Sequence, residues 1–201
     1  MKLYFAPTSP FVRKTLIVCH ECGLAGSVEI VETAVAPATD NPTLSAVNPL
    51  KMIPTLETDD GDVLMDSLVI CDYLIARSGK QSLLPNDPAR RTEILRNHAI
   101  ISGLTDRAVA TRYENSLRPE EYRWPAMMED NKTRIMTGLK WLDRKADDFE
   151  GDLTLASAAL VAFGRYLDLR FDDWSWRAKA PALASTFEGL NNQPSVQKAY
   201  S

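Results

Sequence analysis

Cysteine, histidine, basic clusters and long apolar runs are all scarce in this 201-residue chain. Three cysteines are an odd number, which fits a reducing compartment better than a disulfide scaffold. Cys19 and Cys22 flank His20-Glu21 at a metal-like spacing, yet the chain has only two histidines and no second ligand pair follows. Core or lightly exposed thiols are therefore expected at Cys19, Cys22 and Cys71, and no metal. No basic run exceeds a dipeptide, and 23 Lys and Arg against 27 Asp and Glu leave a net charge of −4. That argues against nucleic acid as a partner, because phosphate neutralisation needs clustered cations. No apolar stretch approaches the roughly 18 residues of a membrane span. The apolar run after Lys2 stops at Pro7, too short for a signal peptide. Repeats and low-complexity tracts are absent as well. The expectation is a cytoplasmic protein with a small-molecule or protein partner.

What is present is ordinary globular material, 45% hydrophobic and 25% charged. Lys2–Phe5 reads as a strand, and Pro10–Gly23 as a helix with an apolar stripe closed by Gly23. Val28–Val31 reads as a second strand, followed by a Pro- and Asn-rich loop and a short helix ending at Asn48-Pro49. Thr55–Thr58 and Asp62–Met65 flank Asp59-Asp60-Gly61, a hairpin turn signal. Leu68–Ala76 follows as a helix with Val69, Ile70, Tyr73 and Leu74 inward. Loop composition from Ser78 to Asp87 marks a linker. Beyond it only helices are patterned: Pro88 to about Arg118, Pro119 to Phe149, a third from Thr154 to about Asp168, and two short ones, Pro181–Leu190 and Pro194–Tyr200. Residues 1–78 thus read as an α/β domain and residues 88–201 as an all-helical one.

The chemistry concentrates where the first strand meets the first helix. Ser9-Pro10 is an N-cap followed by proline at the first helical position, where free N–H groups and the helix dipole favour an anion. In thioredoxin-like folds this turn carries a Cys-x-x-Cys pair; here Ser9 and Val12 stand in those places. Such a site holds an anionic sulfur but forms no disulfide of its own. A free thiol near pKa 8.5 is only about 3% ionised at pH 7, and lowering its pKa by about two units requires roughly 2.7 kcal/mol. One charge-assisted hydrogen bond supplies about 1.5–3 kcal/mol and a helix N-terminus about 0.3–1 kcal/mol. A single serine hydroxyl is sufficient.

Thr8-Ser9-Pro10-Phe11-Val12-Arg13-Lys14, Asn48-Pro49-Leu50, Ile53-Pro54-Thr55-Leu56 and Asp66-Ser67, in this order and spacing, resemble the cytosolic glutathione S-transferase family, its bacterial YibF-like members in particular. The resemblance covers the whole chain and implies a thioredoxin-like domain followed by an all-α domain, with glutathione as co-substrate. It makes Ser9 the catalytic hydroxyl, with Thr8 and then Tyr4 as further donors, and Phe11 beside them. It implies a cis bond before Pro54, so that the backbone of Ile53 pairs with the cysteinyl unit of glutathione as a strand edge does. Ser67 and its helix N-terminus would bind the γ-glutamyl carboxylate and Asp66 the ammonium. Asp106 resembles the acid that reaches that ammonium from a partner subunit, which implies a homodimer.

Lys51-Met52 departs from the family pattern, because Met52 stands where relatives carry the long polar residue that holds the glycine carboxylate; Lys51 or Lys14 is the substitute. Ser157 replaces the family's Asp at the start of the core helix, a matter of capping. The electrophile pocket is expected between Phe11 and the helix from Asn97 to Leu117, lined by Arg107, Arg112, Tyr113, Ser116 and Trp124, with Arg112 favouring anionic substrates. The implied function is a detoxifying transferase that adds the glutathione thiolate to an electrophile. The competing readings are a glutathione-dependent peroxidase or disulfide reductase, and a non-catalytic protein of the same fold acting through protein contacts.

Overall fold

The computed structural model describes all 201 residues. A four-stranded sheet forms from β1 (Lys2–Phe5), β2 (Glu29–Glu32), β3 (Thr55–Glu57) and β4 (Val63–Leu64), in the spatial order β2-β1-β3-β4. β1 runs parallel to β2 and antiparallel to β3, with Tyr4 opposite both Val31 and Thr55. The β3–β4 hairpin turns at Gly61, whose φ of +88° suits glycine. β2 starts one residue later than its apolar run, because Glu29 and not Val28 is in register with Lys2.

Three helices belong to this half: α1 (Pro10–Glu21), α2 (Pro42–Val47) and α3 (Ser67–Ser78). Each starts on a capping side chain: Ser9, Asn41 and Asp66 accept from the N–H groups of Val12, Leu44 and Leu68. On α3 the buried face is Ile70, Cys71, Leu74 and Ile75, whereas Val69, expected inside, is 46% exposed. The stripe is rotated by one residue from the sequence expectation.

The remaining helices are α4 (Pro88–Ser116), α5 (Pro125–Asp143), α6 (Leu155–Arg170), α7 (Trp176–Lys179), α8 (Pro181–Asn191) and α9 (Pro194–Tyr200). α5 starts at Pro125 and not at Pro119, since Glu120–Tyr122 closes a separate 3₁₀ turn. Sequence periodicity gave no sign of α7, a single turn. α6 is the axis of the fold: every residue from Leu155 to Gly164 is buried, as expected for a helix that is apolar all round. Its cap uses hydroxyls only, with Thr154 Oγ1 accepting from the Ser157 N–H at 3.1 Å and lying 2.9 Å from Ser157 Oγ. α1 packs on α3 on one side and on α6 and α9 on the other, while α4 packs on α5 and α6. One apolar core therefore runs through both halves.

Candidate functional site

A cavity of about 620 Å³ opens between the two halves. The sheet-side wall comes from Thr8, Ser9 and Phe11 at the start of α1, the loop 35–41, and the segment from Leu50 to Ile53. The helical wall comes from Asp106, Val109, Arg112, Tyr113 and Ser116 on α4 and from Tyr166 and Arg170 on α6. Positions 106, 109, 113 and 116 repeat at helical spacing, so one stripe of α4 faces the cavity.

Ser9 sits where extended backbone (φ −78°, ψ 119°) turns into α1. Its Oγ accepts from the Val12 N–H at 3.4 Å, and its own proton has no acceptor in the chain. A hydroxyl offers one donor and two lone pairs, so this cap leaves the donor free. Thr8 lies beside it, exposed. Tyr4 does not serve here. Its hydroxyl donates to Glu57 on β3, and that bond with burial pushes the phenol up to about 12.

Ile53 forms the second feature. The Ile53–Pro54 bond is cis, and neither the N–H nor the C=O of Ile53 has a hydrogen-bond partner in the chain. The preceding loop is pinned by buried Asn48, whose Nδ2 donates to Met52 O (3.0 Å) and Thr55 Oγ1 (2.8 Å) while its Oδ1 accepts from the Leu50 N–H (2.8 Å). Lys51, with a φ of +52°, lines the cavity but is ion-paired to Asp40 at 3.0 Å, and Met52 is 57% exposed. Pro54 itself is buried behind the cavity lining.

Lys14, the other candidate for a carboxylate of glutathione, points elsewhere. It is 2% exposed between α1 and α4, with Nζ donating to His98 Nε2 at 2.9 Å. Burial lowers the lysine, and burial together with the lysine's charge lowers His98 to about 3. Asp66 and Asp106 both act on this buried cation. Asp66 caps α3 at 2.9 Å from the Leu68 N–H, and Ser67 is buried behind it; neither lines the cavity directly.

Asp106 shares the cavity-facing stripe of α4 with Val109 and Tyr113, at the helical wall of the cavity. Although the residue is exposed, its carboxyl loses enough water in the cleft to rise above the usual carboxylate range, with Lys14 opposing and Asp66 reinforcing the rise. Arg107 lies off the stripe, and its guanidinium donates to Asn131 on α5 at 3.1 Å. Trp124 is 65% exposed outside the cavity. Arg112, Tyr113 and Ser116 do line it. Tyr166 and Arg170 were missed by sequence reading; their i, i+4 spacing on α6 was the available signal, hidden within an otherwise apolar helix. Cys19 and Cys71 are buried in the core, with Cys22 half-buried; burial raises Cys19 to about 12 and Cys71 to about 11.

The family model for the glutathione S-transferase N-terminal domain matches residues 8–77. A glutathione transferase family member from Pseudomonas fluorescens Pf-5, crystallised with bound glutathione, superposes with a TM-score of 0.95 at 31% identity, over 98% of this chain and 97% of that one. The chain belongs to the glutathione transferase family. A second crystal structure of a family member from the same organism, holding S-(propanoic acid)-glutathione, gives a TM-score of 0.90 at 31% identity over 100% and 98% of the two chains. Among curated sequences, the uncharacterized GST-like protein YibF of Escherichia coli K12 is 26% identical over 98% of this chain and 97% of that protein. As in a glutathione transferase, a thioredoxin-like half precedes a helical half, and no helix is long and apolar enough to cross a membrane.

Proposed function

We propose that this protein binds glutathione in the cavity, holds its sulfur as a thiolate on Ser9, and delivers it to an electrophilic small molecule. The observation that carries the reading is the free hydroxyl proton of Ser9, set at a helix N-terminus on the cavity wall that also presents the unpaired backbone of Ile53. An extended tripeptide pairs with the Ile53 N–H and C=O as an added strand, which lays its thiol beside Ser9. The donor and the α1 dipole then favour the thiolate, and binding of the second substrate alongside converts a bimolecular attack into a local one. Asp66 and Asp106 supply negative charge for the γ-glutamyl ammonium, and the α3 N-terminus with Ser67 supplies donors for its carboxylate. Lys51 is the one lysine at hand for the glycine carboxylate, and to reach it must exchange its pairing with Asp40. The relatives solved with glutathione and with a glutathione thioether support both the co-substrate and sulfur alkylation as the chemistry.

A cytoplasmic, two-fold homodimer is part of this proposal, resting on the family resemblance. Calorimetric titration with glutathione tests the binding half: saturable binding in wild type, weakened in Asp66→Ala, supports it, and no heat at all sinks it in favour of a protein-contact role. A panel of electrophiles, peroxides and mixed disulfides tests the chemistry, since the same thiolate would serve a peroxidase or reductase; exclusive turnover of peroxides or disulfides would displace the transferase reading.

A further inference from the structure

We propose that the electrophile carries a carboxylate, and that Arg170 and Arg112 hold it. The inference deepens the function proposed above and rests on a glutathione thiolate standing at Ser9.

Arg112 and Arg170 both line the cavity's helical wall, and neither makes an ion pair or side-chain hydrogen bond within the chain. The contrast with nearby arginines is clear: Arg107 donates to Asn131, Arg165 to Asn191 and Arg177 to Asp168. The Nε of Arg170 is moreover fully buried with no partner. A buried donor of this kind is costly when unsatisfied and is rarely left so, which marks Arg170 as a side chain that the chain itself does not satisfy. Tyr166, one turn before Arg170, adds a hydroxyl with no acceptor in the chain, and burial raises it to about 12, which keeps it a donor at neutral pH. The cavity's one acidic lining residue is Asp106, and the other cation, Lys51, is already paired with Asp40. The helical end of the cavity is therefore cationic and rich in free donors, opposite the thiolate at Ser9. The planar fork of a guanidinium matches a carboxylate bidentately. Apolar lining from Phe11, Val35 and Val109 leaves room for a short carbon skeleton between the two ends.

With a haloacid, the sulfur's electron pair forms a C–S bond at the halogen-bearing carbon as the C–halogen bond breaks, and halide leaves with its electron pair. With an α,β-unsaturated acid the sulfur adds to the β-carbon, the π pair moves to the α-carbon, and that carbon takes a proton from water. The carboxylate is unchanged in both, and no redox partner is needed.

The test compares S-carboxyethyl-glutathione with its neutral carboxamide by calorimetry, and a bromopropanoate with its amide by kcat/KM, in wild type, Arg170→Gln and Arg112→Gln. Wild type is expected to prefer each acid by roughly 10-fold or more, the size of one charge-assisted bond. Arg170→Gln is expected to erase most of that preference while affinity for glutathione itself and kcat/KM for the amide stay within about twofold, which a merely structural role would not produce. Equal affinity for acid and amide conjugates in wild type overturns the inference and leaves the glutathione reading standing. Failure of wild type to bind glutathione or either conjugate overturns both. Should Arg170→Gln unfold, the wild-type ratio and Arg112→Gln decide.

Discussion

The two walls of the cavity are built on opposite plans. On the sheet side, the main groups assigned to glutathione also serve the fold: Ser9 on the wall and Asp66 outside the lining cap helices, and Ile53 extends the line of β3. On the helical side, Arg112, Tyr166 and Arg170 project from α4 and α6 with no hydrogen bond from their side chains to the rest of the chain. The wall that meets an invariant tripeptide is made of groups that also build the fold, whereas the wall that meets a variable substrate presents polar groups the chain leaves unbonded, with only the ring of Tyr166 packed into the core. It follows that changes on the first wall should alter stability and activity together, and changes at Arg112 and Arg170 mainly activity.

The largest effect is expected where neither wall is touched. At Gly164 on α6 an added Cβ would lie 2.5 Å from Phe187 Cε2 and 3.2 Å from Trp176 Cζ2. Gly164→Ala must displace a buried ring, and by the usual cost of overpacking should lower stability by about 1–3 kcal/mol or more in a denaturant titration. Next comes the buried pair behind the cavity. Unfolded histidine takes a proton near pH 6.5, while folded His98 refuses it until about 3. The unfolded state therefore gains protons first, and stability should fall by up to about 1.4 kcal/mol per pH unit as pH drops through that window. His98→Gln should flatten the slope; an unchanged slope would show that other groups set it.

Asp66 separates the two duties of the first wall. Asp66→Ala should cost about 1 kcal/mol of stability through the lost α3 cap and also weaken glutathione binding. Asp66→Asn keeps the cap, since Asn caps as well as Asp, and should weaken binding alone. Loss of stability without loss of binding in both variants would remove Asp66 from the site. The smallest effect is expected at Arg107, whose bond runs to α5. Arg107→Ala should leave kcat/KM within about twofold, and a large drop in turnover would place it at the cavity after all.

The same division explains what the sequence made legible. Ser9-Pro10, Asp59-Asp60-Gly61 and Asp66-Ser67 are local signals whose meaning lies within four residues, so the strands, the hairpin and the caps are readable, and with them the Ser9 and Ile53 part of the sheet-side wall, whereas the loop 35–41 that completes that wall carries no such signal. The helical wall depends on how α4 and α6 are rotated, which no local signal sets. Arg107 and Arg112 looked alike in sequence, and only packing on α5 and α6 turns one away and the other inward. Arg170 is hidden for the same reason, at the end of a helix whose first ten residues are all buried. Asp106 is readable as a site residue, and its stripe on α4 lines the cavity. Pro119 and Pro125 carry the same helix-start signal, and the 3₁₀ turn between them puts the start of α5 at the second.

The central claim is that Ser9 holds a sulfur anion. It is tested most directly by titrating bound glutathione against pH and following thiolate ultraviolet absorbance, in wild type and in Ser9→Ala. The account predicts a bound thiol ionising about two units below its free value near 8.5 in wild type, and a return most of the way to that value in Ser9→Ala. Glutathione that binds both proteins with the same ionisation would contradict it.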